Sequence, residues 1–336
     1  MRREPVSNET GGVSFGQIEG PAMRRVPIAL TLGMFLSFPA SSATAQEANR
    51  LTVVSNVRLR AAADEAAAVV TAVPLGTELI QLDTGGPSAA WVRVRTTGGP
   101  DGWLPARLTR RFTPDGRIEA IEAVVKDRLA RAGDSFTARR ELLDLVERTL
   151  SSLNEPESGG RFALLWLSAL DTVAASVPRA QSRAEPYAAW LKTHDAVVYF
   201  HEPAGRWQVR PQAVLDLHAR HRDTSAADDI AWFAATHGVV GECEGFVPCV
   251  VRRFDALDGA YLRLHPAGRH VDESVTRLFD GFVRMDSGRG HFFDPRKDCA
   301  ELAAAAGPLE AAIGATRAGS RAAALAAIDR VRAPCK

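Results

Sequence analysis

The strongest candidate for metal chemistry in this chain is a short run of histidine and aspartate side chains. His218 and His221 are three residues apart, so both can face one side of a helix, and Asp223 follows closely. Imidazole nitrogens and carboxylate oxygens are common zinc ligands. Isolated histidine pairs on helices are more often simply solvated, so we assign no metal and no cofactor and keep these three residues as weak candidates.

Other residue patterns begin like catalytic motifs and then depart from them. The run His201-Glu202-Pro203-Ala204-Gly205 has a proline inside the turn and a glycine where a zinc-peptidase helix needs its second histidine. Cys299 starts a predicted helix as a nucleophilic cysteine would, but no histidine follows His291 to activate it in the usual order. Glu242 and Glu244 could pair for glycoside cleavage, although a charged loop is the favoured interpretation. We therefore expect no enzymatic activity.

The four cysteines, Cys243, Cys249, Cys299 and Cys335, all lie towards the C-terminal end. An even number of cysteines in an exported chain favours disulfides, and four cysteines allow three pairings. We favour Cys243–Cys249, which closes a small loop containing glycine and proline, and Cys299–Cys335, which ties the C-terminus to a helix start. The alternative of a thiolate zinc site requires closer spacing than the five residues between Cys243 and Cys249.

Composition and charge exclude several classes of protein. The chain has 336 residues, 46% of them hydrophobic and 24% charged, as in globular proteins. Its 41 basic and 40 acidic side chains nearly balance, which argues against a nucleic-acid partner. The length predicts more than one domain.

The N-terminal region predicts export. Residues 1–22 are a polar extension, and residues 23–45 contain two arginines, a short apolar run and an Ala-x-Ala site, as in a secretory signal peptide. The apolar run is shorter than a spanning helix requires, so we expect no membrane span in the mature chain. The protein is then periplasmic or extracellular.

Short apolar stretches between Gly- and Pro-rich turns predict a small β-domain over residues 50–112. Five predicted strands are spaced as in a small barrel: Val57–Leu59, Val69–Val73, Glu78–Leu82, Trp91–Arg95 and Gly102–Leu104. In the fourth strand, Trp91, Arg93 and Arg95 share one face, and Val92 and Val94 share the other.

This segment resembles the bacterial SH3-like domain of exported proteins. The resemblance rests on four stretches: Val57-Arg58-Leu59-Arg60, Val69-Val70-Thr71-Ala72-Val73 with Gly76-Thr77, Trp91-Val92-Arg93-Val94, and Gly102-Trp103-Leu104. It implies a non-catalytic module that binds cell-wall peptide or glycan, with Trp91, Trp103 and Arg60 as ligand-binding candidates. Core packing remains the favoured interpretation of each tryptophan by itself, because a small domain needs its large apolar side chains inside.

The remainder of the chain has helical periodicity. We predict a helical connector over residues 115–153 and a helical domain with disulfides over residues 160–336. The join 261–274, where a proline ends one helix and an acidic run begins another, resembles tetratricopeptide-like proteins of the bacterial envelope. No second copy recurs at a fixed period, so we predict an all-α domain and not a repeat array.

Together these patterns predict a multidomain β + α protein, with a small SH3-like β-barrel followed by an all-α domain. The leading hypothesis is an exported, non-catalytic envelope protein that binds peptidoglycan or an envelope protein through the SH3-like domain. One alternative is a cell-wall hydrolase with an active site in the helical domain, near His218, His221 and Asp223. Another is a scaffold subunit of an envelope complex.

Overall fold

The computed structural model describes residues 49–83, 90–238 and 241–336. The polar extension 1–22 and the predicted signal peptide 23–45 lie outside these residues. None of the helices in the described ranges combines the length and apolar character needed to cross a membrane.

An antiparallel sheet forms the N-terminal part of the described chain. Its strands are β1 Asn49–Thr52, β2 Val57–Arg60, β3 Val69–Val73, β4 Glu78–Gln81, β5 Trp91–Thr96, β6 Asp101–Pro105 and β7 Thr109–Phe112. Their spatial order is β3-β2-β6-β5-β4-β1-β7. The five predicted strands correspond to β2 to β6. Alternation of side chains explains why these segments form strands, because Val57, Leu59, Val92 and Val94 are buried and the residues between them face outward.

The class, β followed by α, is confirmed, but the strands form an open sheet and not the small barrel that we expected. Two further strands, β1 and β7, extend the sheet beyond β4. The outer strands of the described sheet are therefore β3 and β7, and no ladder joins them. β7 lies beside the first helix, which follows it closely in the chain.

Eleven α-helices and one hairpin make up the rest of the described chain. They are α1 Arg117–Leu129, α2 Phe136–Ser152, α3 Pro156–Ala175, α4 Tyr187–Thr193, β8 Val198–His201, β9 Arg206–Val209, α5 Pro211–His221, α6 Ala227–His237, α7 Val247–Phe254, α8 Ala260–Leu264, α9 Val271–Asp286, α10 Cys299–Gly314 and α11 Arg321–Arg332. A π-helical turn, Asp255–Gly259, joins α7 to α8. Local signals start these helices: the Ser135 hydroxyl accepts from the Ala138 N–H at the start of α2, and the Glu155 carboxylate caps α3.

The helices enclose two clusters of buried side chains. The first includes Phe162 of α3, Val146 of α2 and Leu217 of α5, and the second includes Phe282 of α9, Leu309 of α10 and Tyr261 of α8. Helix α6 contributes to both clusters, since its Ile230 and Phe233 face the first, while Ala231 and Ala235 face the second. α6 therefore joins the two halves of the helical part.

The turn between β3 and β4 packs directly on α2. The Leu75 N–H donates to the Glu141 carboxylate at 2.6 Å, and Leu75 is fully buried among helical side chains. Gly76 has a φ of +74°, and a Cβ at this position would collide with Leu145. A glycine is needed here because of both the left-handed backbone and the close approach.

Both predicted disulfide pairings are present. Cys243–Cys249 closes the loop before α7 with a Cα–Cα distance of 5.4 Å, and Cys299–Cys335 joins the start of α10 to the C-terminus with a distance of 5.5 Å. Since Cys299 is bonded to Cys335, its sulfur is not a free thiol nucleophile.

Candidate functional site

The outward surface of the sheet brings the predicted SH3 ligand candidates together. In β5 the buried Val92 and Val94 alternate with Trp91, Arg93 and Arg95, which therefore project from the opposite face. Arg93 pairs in register with Trp103 of β6, and Trp103 pairs in turn with Arg60 of β2. Directly opposite residues on neighbouring strands have adjacent side chains on the same face.

We call the surface formed by Arg60, Trp91, Arg93 and Trp103 the aromatic–cationic face. Arg60, Trp103 and Arg93 form a row across three strands, and Trp91 lies two residues from Arg93 on the same strand. Both tryptophans are partly exposed. Among the described residues, neither indole N–H has a hydrogen-bond partner, so each side chain offers a flat apolar surface and a free donor.

Core packing, the interpretation that we favoured for each tryptophan alone, does not describe these positions. The buried cluster of the sheet consists of aliphatic side chains, Val57, Leu59, Val73, Leu79, Val92, Val94 and Leu104, and neither Trp91 nor Trp103 belongs to it. The aliphatic residues fill the interior because they occupy the inward positions of β2 and β5 and share the inward side of β6 with Gly102. The tryptophans alternate with them and must face outward.

The electrostatics of the face leave an excess of positive charge. Arg95 donates to Asp101 at 2.6 Å, and Arg93 lies 3.6 Å from the same carboxylate. The hydrogen bond from Arg95 lowers the pKa of Asp101, so this carboxyl stays ionised and engaged. Arg60 donates to the Ala67 carbonyl at 2.7 Å, which fixes its position beside Trp103. The indole rings offer flat surfaces for stacking, and the guanidinium groups beside them can bind carboxylates. The face therefore suits a ligand that has both flat, weakly polar surfaces and carboxylates.

The weak metal candidates are not brought together. His218 is buried, and its Nε2 lies 2.8 Å from Nε2 of His265. His221 lies beside Gly159 of α3. Asp223 is 90% exposed and lies 3.6 Å from Arg222. Across the described residues, no group of three or more histidine, cysteine or acidic side chains could hold a metal ion.

The histidine pair instead belongs to a polar network between α5, α6 and α8. Tyr261 donates to Asp228 at 2.7 Å, and burial together with this bond raises the pKa of Tyr261. Burial and the neighbouring His265 lower the pKa of His218. Burial also lowers the pKa of His265, although Asp228 favours its protonation. Two rings in direct contact cannot both be charged without repulsion, so the pair shares one hydrogen bond in its neutral form.

The remaining motif candidates are placed away from any shared site. His201 ends β8, and its Nδ1 accepts from the Ala204 N–H at 2.9 Å within the hairpin turn. The His201–Glu202 pair is thus on a hairpin and not on a helix. Glu244 lies within the loop that the Cys243–Cys249 disulfide closes, and Glu242 directly precedes that loop.

A comparison with protein-family models identifies the class of the N-terminal part. Residues 55–109 match the family model of the bacterial SH3 domain. This segment runs from the turn before β2 to the start of β7 and contains all four residues of the aromatic–cationic face. The chain therefore carries a bacterial SH3 domain, followed by a predominantly helical part. No curated protein and no solved structure matches the chain.

Proposed function

We propose that this chain is an exported, non-catalytic envelope protein that binds cell-wall material through the aromatic–cationic face of its SH3 domain. Bacterial SH3 domains often bind wall material or proteins. The domain and the two disulfides support a location in the envelope, because disulfides persist in oxidising compartments.

The observation that carries the proposal is that two partly exposed tryptophans lie beside arginines whose positive charge exceeds that of Asp101, the carboxylate that Arg93 and Arg95 share. Peptidoglycan combines sugar rings with short peptides that carry carboxylates. A sugar ring can stack on Trp91 or Trp103, and a free carboxylate can accept from Arg60 or Arg93. The tryptophans and the arginines together offer contacts to both components of peptidoglycan.

The proposal assigns no reaction to the chain. The sequence carries no complete catalytic motif, and Cys299 is held in a disulfide. The hydrolase alternative would place chemistry near His218, where the histidine pair is buried and hydrogen-bonded.

Co-sedimentation with isolated sacculi tests the binding proposal. We expect the purified protein to be retained, and we expect Trp91→Ala and Trp103→Ala each to lower the retained fraction. Phe292→Ala is a matched control, because Phe292 is 57% exposed and lies outside the sheet. Absence of retention, or equal retention by all four proteins, would refute wall binding through this face.

A second measurement addresses the absence of catalysis. Sacculi incubated with the protein should release no soluble muropeptides above the level of a buffer control. Release that a chelator or His218→Ala abolishes would overturn the non-catalytic assignment and favour the hydrolase.

A further inference from the structure

An open cleft lies between the β8–β9 hairpin and the segment that leads into α4. Its volume is about 1130 Å³. The residues that matter to its chemistry are Arg179, Arg183, Leu191, Phe200, Glu202 and Trp207. We call this region the hairpin cleft, and it is separate from the SH3 domain in sequence.

One wall of the hairpin cleft is aromatic. Phe200 of β8 and Trp207 of β9 are paired in register, with ring centroids 5.4 Å apart. Val198 and Val209 lie on the same face of the hairpin and are buried among the helices. The valines therefore anchor the base of the hairpin, and the aromatic pair extends beyond them to line the cleft.

Two arginines also line the cleft, one of them beside the aromatic pair. The Arg179 guanidinium lies 5.0 Å from the centre of the Phe200 ring and donates to Glu202 at 3.0 Å. Arg183 is exposed and makes no hydrogen bond or ion pair to another residue in the described ranges. Two guanidinium groups thus face one carboxylate that is already engaged, which leaves Arg183 as an unneutralised charge.

We propose that the hairpin cleft binds an extended acidic peptide segment of another protein. Its carboxylates bond to Arg183, and an apolar side chain packs on Phe200, Trp207 and Leu191. Charge complementarity favours an acidic ligand, because the Arg183 guanidinium has no partner in the described ranges and can donate charge-assisted hydrogen bonds to a carboxylate. The aliphatic and aromatic lining offers apolar side chains of the peptide a surface to pack on. The cleft also exceeds the volume of roughly 300–1,000 Å³ that small-molecule sites occupy, which suits several peptide residues.

A random octapeptide array probed with the purified, labelled full-length protein tests this proposal. We expect the bound spots to be enriched in peptides that combine aspartate or glutamate with large apolar residues. Arg183→Glu should weaken binding to the selected peptides about tenfold or more, because it replaces attraction with repulsion. Arg289→Glu is the matched control: Arg289 is exposed in a loop far along the chain, carries the same charge change and should bind as the unaltered protein does.

A second variant separates the aromatic wall from the charge. Phe200→Ala should lower affinity for acidic peptides that contain an apolar residue more than for purely acidic ones. Trp91→Ala and Trp103→Ala should leave peptide binding unchanged, so the outcome is independent of the wall-binding proposal. Enrichment of neutral or basic peptides, absence of enrichment, or equal binding by Arg183→Glu would overturn the proposal.

Discussion

The two disulfides should stabilise the helical part by different amounts, with the disulfide that closes the longer loop contributing more. A cross-link lowers the entropy of the unfolded chain, and the effect grows with the logarithm of loop length. Cys299 and Cys335 are separated by 36 positions, and Cys243 and Cys249 by 6. The loop-closure relation then gives about 4 kcal/mol for the long loop and about 2 kcal/mol for the short one at 25 °C.

The measurement is urea unfolding of the oxidised protein, followed by far-UV circular dichroism, which reports on the helices. Each disulfide is removed by a double Cys→Ser replacement, so that no free thiol remains. We expect the Cys299/Cys335 pair of replacements to lower the free energy of unfolding by about 2 kcal/mol more than the Cys243/Cys249 pair. Reduction of the unaltered protein with dithiothreitol controls for effects of serine itself. Equal losses, or a larger loss for the short loop, would contradict the entropic reasoning.

Three further perturbations have outcomes that follow from particular contacts. Gly76→Ala should lower the free energy of unfolding by about 1–3 kcal/mol in urea titrations, because an alanine is strained at this positive φ and its Cβ meets Leu145. Gly98→Ala is the control: the φ is similar but the space around it is open, so its free energy of unfolding should fall by less. Phe282→Ala should cost about 3–5 kcal/mol in the same assay, since the ring is fully buried, and a loss below 1 kcal/mol would contradict the packing described. The pKa values of His218 and His265 are lowered in the folded protein, so the unfolded chain takes up protons at higher pH than the folded one. The stability that comes from keeping the two histidines neutral is therefore complete above a pH of about 6.5 and is lost as the pH falls below it. His265→Gln should flatten the fall in melting temperature between about pH 7.5 and about pH 5, and an unchanged slope would show that the pair is not responsible.

Local patterns accounted for much of the fold. Strand alternation located β2 to β6, because Val92 and Val94 alternate with outward-facing residues. The disulfide pairings followed from loop size and chain position. The strand alternation and the Cys243–Cys249 loop depend on residues close together in the chain, whereas the Cys299–Cys335 pairing followed from the position of each cysteine, at a helix start and at the C-terminus.

The features that sequence reasoning missed depend on contacts between distant residues. β1 and β7 are four-residue strands that exist because β1 pairs with β4 on one side and with β7 on the other, and no local signal marks them strongly. His218 and His265 are 47 positions apart, so the histidine pair has no spacing to detect. The approach of Arg179 to Phe200 joins the segment before α4 to the hairpin, and no local pattern marks it either. For the tryptophans, the alternation was read correctly, while the general expectation that large rings fill small cores pointed the wrong way.

The SH3 domain and the helices share buried contacts, and this affects how the two proposed binding surfaces can act. Leu51 of β1 and the turn residue Leu75 are both fully buried in the first helical cluster, and Glu141 of α2 accepts the Leu75 N–H. Separating the sheet from the helices would expose both leucines and remove that acceptor. The aromatic–cationic face and the hairpin cleft therefore belong to one packed body and not to modules joined by a flexible linker. If both proposals hold, a wall-bound molecule presents its cleft in an orientation set by the fold, so an acidic segment that binds there is held at a defined position relative to the wall.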